Sequence, residues 1–242
     1  MLNAGAKVDH PLYYCDQNWF RLIPSRFPPI DVYERLASAE LRTAAQQIEA
    51  QTNPRLLSKE RGAQGEHVNR AASGRLQNWN HAPFAYKNPE GTYLLNPNYG
   101  VMEVVGDVRS ALAFYLRRRE VFLSRTDEAP MGLDMRLLVT RIKGDFVDLT
   151  GLPPDISRDE RWAIGQRLYE NDAHGALFQK PNFPGASFLA VFDGSLLEPS
   201  VQGAHYRFVW DGKVIKSVYD FSSGEEISRG DLLTGDPTKE AA

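Results

Sequence analysis

The residues of this chain that could do chemistry are few and widely spaced. Arg21, in Trp19-Phe20-Arg21-Leu22-Ile23-Pro24, carries a planar cation that can grip a phosphate or carboxylate at two points. On a strand beside aromatic residues it can equally be a structural ion-pair or stacking partner. Glu103, in Val101-Met102-Glu103-Val104, is a carboxylate where a strand meets a helix, although strand alternation favours pointing it outward into water. His205 could act as a general base, but a histidine satisfied within the structure is the commoner fate, and its neighbours in sequence are too scattered for a metal site. Arg117, Arg118 and Arg119 form a basic run at the end of a helical pattern, most simply a solvated face that favours the negative helix terminus. Cys15 is the only cysteine, which excludes an internal disulfide and a thiolate zinc cluster and suits a small buried apolar filler.

The elements that must position these groups follow from apolar spacing. Tyr13 to Ile23 mixes aromatic and aliphatic residues and stops at Pro24, as a strand entering a turn would. From Asp31 the pattern turns helical through Ile48 and halts at Asn53-Pro54, and 55–73 reads as a polar surface excursion. Asn88-Pro89-Glu90-Gly91 is a turn signal, and Tyr99 to Val105 a short apolar strand. Asp107 caps a predicted helix in which Val108, Ala111, Leu112, Tyr115 and Phe122 face one way.

Beyond that helix, Arg136 to Ile142 and Asp145 to Leu149 read as a strand pair or one bent strand. Ser157 with Glu160 makes a capping box for a helix carrying Trp162, Leu168 and Tyr169 inward. Ala176 to Phe178, Phe188 to Phe192, His205 to Trp210 and Lys213 to Tyr219 are strand candidates, the last two joined by the hairpin turn Asp211-Gly212. After Ser222 periodicity is lost, and the tail is expected to fray. The sum is an α+β chain with a mixed, strand-rich core in a single domain.

At 242 residues, 42% hydrophobic and 24% charged, the composition is that of an ordinary soluble globular protein. A net charge of −3 and a pI near 6.0 lack the basic footprint of a nucleic-acid binder. No apolar run approaches the roughly 20 residues of a membrane span, and Met1 to His10 lacks a secretory core, so the expected location is cytoplasmic.

Several blocks, taken together and in order from about Phe20 to Phe221, resemble the longer form of the RES domain, a family named for an arginine, a glutamate and a serine. They are Arg21 to Ile30, Asn53-Pro54-Arg55, Asn88-Pro89-Glu90-Gly91 with Tyr99-Gly100-Val101, Leu133-Asp134-Met135-Arg136, and Gln202-Gly203-Ala204-His205 leading into Trp210-Asp211-Gly212. The resemblance divides the chain into an N-terminal extension (1–18), a RES-like domain (19–221) and a polar C-terminal tail (222–242). It implies a fold similar to ADP-ribosyltransferase toxins, destruction of NAD or transfer of its ADP-ribose, NAD as substrate or ligand without a metal, and a helix-turn-helix antitoxin as partner.

Arg21 matches the family arginine and is implied to be catalytic and to bind the NAD phosphates. The family glutamate follows a small-apolar-small run matched by Ser110-Ala111-Leu112-Ala113, but the next residue here is Phe114. The family serine position, counted from Gly175-Ala176-Leu177-Phe178 and from Pro184-Gly185, holds Lys180. Phe114 can neither bond a ribose hydroxyl nor stabilise developing positive charge. Glu103 is the candidate replacement carboxylate; Lys180 can hold phosphate as a point charge or be a loop lysine in water. Two functions follow: an NAD-cleaving enzyme with an altered site, or a degenerate RES fold that binds a nucleotide or a protein partner without cleaving.

Overall fold

A long strand, β1 (Leu12–Pro24), runs antiparallel to the longest strand, β3 (Met131–Asp148), from Leu12 opposite Val147 to Pro24 opposite Met135. The structure, a computed structural model, describes residues 10–25 and 78–234. The helix expected from Asp31, its stop at Asn53-Pro54 and the excursion at 55–73 lie outside the described residues. β1 begins within the stretch set apart as an N-terminal extension, and β3 joins into one strand the two segments expected at Arg136 to Leu149.

The pairings around β1 and β3 close on themselves. β1 meets β2 (Met102–Val105) at Phe20 opposite Val105, and β2 pairs antiparallel with β5 (Phe188–Val191). β5 pairs with β4 (Gly175–Phe178), and β4 returns to β3 in a parallel pairing, the one such pairing among the described residues. From the other edge of β3 the sheet continues through β6 (Val201–Trp210), β7 (Ile215–Asp220) and β8 (Glu226–Ser228). The architecture is therefore α+β, with, among the described residues, an eight-stranded mixed sheet of which five strands form a closed ring.

Period-two alternation decides which side chains fill that ring. Cys15 and Trp19 of β1, Met102 and Val104 of β2, Ile142 and Phe146 of β3, Leu177 of β4, and Leu189 and Val191 of β5 form one buried cluster. The Trp19 indole donates to the Cys15 sulfur at 3.1 Å, so the lone cysteine is interior filling, as its composition suggested. The opposite faces of the same strands, including Val105, Phe178, Phe188 and Ala190, belong to a second and larger core.

Helix α2 (Val108–Leu123) covers that second face. Asp107 caps it by accepting from the Ser110 N–H at 2.7 Å, and residues 110–116 are buried without interruption. Helix α1 (Asn78–Ala85) is tied to the sheet by a buried polar chain: Asn80 accepts from Ser200, whose hydroxyl lies 2.5 Å from that of Thr140. Helix α3 (Arg158–Glu170) carries the expected Ser157–Glu160 capping box. The tail reading needs correction, because β8 and helix α4 (Arg229–Thr234) pack on the body. Leu232 is buried, and the Arg229 guanidinium donates to Glu120 of α2 at 2.8 Å, which supplies the anchoring that local periodicity did not reveal.

Helix α3 sits so close to the loop before β2 that a Cβ on Gly165 would stand 1.9 Å from the Leu94 carbonyl oxygen. Gly165→Ala should therefore destabilise the protein by about 1–3 kcal/mol in urea unfolding, through overpacking. Gly151→Ala, where a Cβ meets nothing within 4 Å, should stay within about 0.5 kcal/mol of wild type.

Candidate functional site

Beyond the point where β1 leaves β2, the end of β1, the start of β2 and one face of α2 enclose a cleft of about 970 Å³. That is the size of a site for a small organic ligand. Arg21 of β1, Glu103 of β2, and Tyr115, Arg118 and Arg119 of α2 line it, with Tyr86 and Phe122 at its margins. Tyr115, Arg118, Arg119 and Phe122 follow the spacing that puts residues on one face of a helix. That spacing was the available signal for Arg118 and Arg119. Only Arg118 is exposed as a solvated face requires; Arg119 is half-buried, and Arg117 lies with its guanidinium 5.4 Å from the Phe183 ring centre.

Arg21 is half-buried, and one of its terminal nitrogens donates to the Trp79 carbonyl at 2.5 Å, joining the end of β1 to helix α1. Burial pushes its guanidinium below the usual value, opposed by the nearby Tyr115 hydroxyl, and an arginine so placed still carries its charge. Burial pushes Tyr115 upward, with Arg21 and Arg118 working against that shift and Glu103 adding to it. Among the described residues, Arg125 of the cleft pairs with Glu90, whereas Arg21, Arg118 and Arg119 form no ion pair. The cleft thus holds, among the described residues, more positive charge than its carboxylates, Glu90 and Glu103, offset.

Glu103 does not point into water. Its neighbours Met102 and Val104 face into the ring, so alternation turns Glu103 to the other face, and that face lies under α2. Its side chain is 8% exposed, with one oxygen accepting from the Tyr93 N–H at 3.0 Å and the other 3.6 Å from the Lys180 ammonium. Lys180 is likewise no solvent lysine: its side chain is 12% exposed and sits behind Glu103, outside the residues lining the cleft. Burial lowers its pKa, Glu103 works against that shift, and Arg118 and Arg161 reinforce it. Phe114 packs edge-on against Phe183 and Phe188, with the Lys180 ammonium 4.2 Å from its ring centre. The structure therefore brings Arg21 and Glu103 to one cleft and joins Lys180 to Phe114 behind it. Sequence reasoning missed Tyr93, whose backbone N–H has no side-chain signature.

The fold and the cleft define an α+β protein whose arginine-lined cavity opens between a closed ring of strands and a helix. No family model matches the chain. It is 44% identical over 217 residues, 90% of this chain and 93% of the other, to "Uncharacterized protein y4oC" of Sinorhizobium fredii (strain NBRC 101917 / NGR234), and it belongs to that protein's family. A looser likeness is to a chain in the crystal structure of the M. tuberculosis MbcT-MbcA toxin-antitoxin complex. That match is 15% identical, covers 57% of this chain and 80% of the other, and has a TM-score of 0.35, too distant to bear on this chain.

Among the described residues, no group of three or more His, Cys, Asp or Glu is placed to hold a metal, and no helix is long and apolar enough to cross a membrane. His205 stands opposite Arg136 in the β3–β6 register and accepts from its Nε at 3.0 Å, while Arg136 lies over the Trp79 ring. A histidine that accepts at Nε2 is neutral there, which is the structural role rather than that of a base. Burial and Arg136 push its pKa below the ordinary 6.5, with Asp134 opposing. Below 6.5 the unfolded chain then binds more protons than the folded one. The His205 contribution to stability should be complete above that pH and decline as pH falls toward the depressed folded value. His205→Gln, which can accept from Arg136 without titrating, should flatten this limb in urea midpoints taken from pH 7.5 to 5; a limb identical to wild type would refute the assignment.

Proposed function

We propose that the cleft binds a dinucleotide of the NAD class through its diphosphate, in a RES-like chain whose reactive residues have been rearranged. The observation that carries this reading is the set of arginines, Arg21, Arg118 and Arg119, that share one cleft with Tyr115 and take no carboxylate partner among the described residues. A diphosphate supplies the missing negative charge, and guanidinium groups match its oxygens at two points each. Arg21 is the member that the RES resemblance also singles out. In calorimetric titration ADP-ribose and NAD should bind, and Arg21→Ala should weaken ADP-ribose about 10- to 100-fold, the worth of a charged hydrogen bond. Failure of either ligand to bind wild type at millimolar concentration overturns the reading.

Cleavage of the bound dinucleotide is a second reading, favoured by Glu103. A carboxylate with two fixed anchors at the cleft wall can accept from a ribose hydroxyl and stand near the positive charge that grows as the nicotinamide bond breaks. On this reading Glu103 takes the part of the missing glutamate, since Phe114 is enclosed by other rings. Nicotinamide release, followed with and without phosphate, should then fall about 10²- to 10³-fold in Glu103→Gln. Release no greater than in the Arg21→Ala control would leave a binding module that has lost catalysis. The antitoxin of helix-turn-helix type implied by the RES resemblance belongs to the same proposal, and co-purification with the product of an adjacent small gene would test it.

A further inference from the structure

Phe114 and Lys180, the two departures from the RES pattern, touch each other. The Lys180 ammonium stands 4.2 Å from the Phe114 ring centre and 4.7 Å from that of Phe188, with Tyr93 and Phe178 at 5.4 and 5.6 Å. Ring faces carry negative charge density, so this enclosure attracts a cation instead of merely tolerating it. The enclosure alone would not repay removing an ammonium from water; the Glu103 carboxylate at 3.6 Å completes the compensation. Tyr93 is itself braced, stacked on Phe178 at 4.9 Å with the Arg161 guanidinium 4.2 Å from its ring centre.

The effect on Glu103 is geometric. Its two oxygens have separate anchors, the Tyr93 N–H and the Lys180 ammonium, so the carboxylate cannot turn about its last bond without losing one of them. A carboxylate has about four acceptor directions, which leaves others free for a ligand. We infer that Lys180 is a positioning residue: seated on Phe114, it fixes the orientation in which Glu103 is presented to the ribose of a bound dinucleotide. This rests on the reading of the cleft as a dinucleotide site, and it makes the two substitutions one device. The polar groups expected at 114 and 180 are replaced by a ring and a cation that act through a third residue.

The Tyr93 amide reports on the carboxylate directly, in the full chain and without any ligand. In Lys180→Met its NMR signal should move and its hydrogen exchange should accelerate about tenfold or more, as a partner free to turn protects it less. The Ser110 amide, held by Asp107, should not change. Phe114→Leu should act on Tyr93 in the same direction and less strongly. Unchanged Tyr93 exchange in Lys180→Met overturns the inference. Should that variant fail to fold, Lys180→Met with Glu103→Gln removes both charges and should recover a cooperative urea transition. A double variant that also fails to fold overturns the inference equally. ADP-ribose added to wild type should shift the Tyr93 amide, and Lys180→Met should bind ADP-ribose through its intact arginines without that shift. If wild type binds no ADP-ribose, the cleft reading fails, whereas unchanged Tyr93 exchange sinks the Lys180 role alone.

Discussion

Everything in the site depends on the closure of the ring through the β1–β3 pairing. Thirteen residues of β1 lie in unbroken antiparallel register with β3, and this bond joins the two ends of what would otherwise be an open sheet. Closure gives each strand an inner and an outer face, and the inner face is filled by Trp19, Met102, Ile142, Phe146 and their neighbours. Once Met102 and Val104 are committed inward, Glu103 has no choice but the outer face. Because α2 covers that face, the carboxylate is buried at the wall of the cleft that β1, β2 and α2 line.

The same closure explains why Arg21 stands where it does. It follows Phe20, the residue that pairs with Val105, and so it is one step past the contact between β1 and β2. There, among the described residues, β1 continues on β3, and the guanidinium reaches the backbone of α1 at Trp79. Helix α1 is fixed in turn by Asn80 through Ser200 to Thr140 of β3, so strand, helix and cation share one frame.

What could be read in the sequence was what local chemistry dictates. Asp107, the Ser157–Glu160 box and the Asn88–Gly91 turn each involve partners within a few residues, and each is present. The Asp211-Gly212 signal does mark a hairpin, but Trp210 pairs with Ile215, so the loop runs from Asp211 to Val214 and β7 starts later than the expected Lys213. The α+β class and most strands followed from the same short-range patterns. Two kinds of information were missing. Alternation says that Glu103 lies opposite Met102, but not which face a helix will cover, and that is a long-range fact. Likewise Lys180 sits in a loop whose sequence looks solvated, and Tyr93, Glu103 and Phe114, all distant along the chain, help make it an interior residue. The tail misled for the same reason: Arg229 and Leu232 find their partners on α2 and the sheet rather than near themselves.

The contact between Phe114 and Lys180 constrains how the chain can vary. A lysine at 180 over a carboxylate-bearing position 114 would set one cation between two glutamates, and a phenylalanine at 114 facing a serine would leave Glu103 buried without its counter-charge. Each residue is a liability without the other, so substitutions at the two positions are coupled rather than additive in their effect on the interior. Positions 103, 114 and 180 are therefore one unit of the interior, and a change at any of them is felt at the other two.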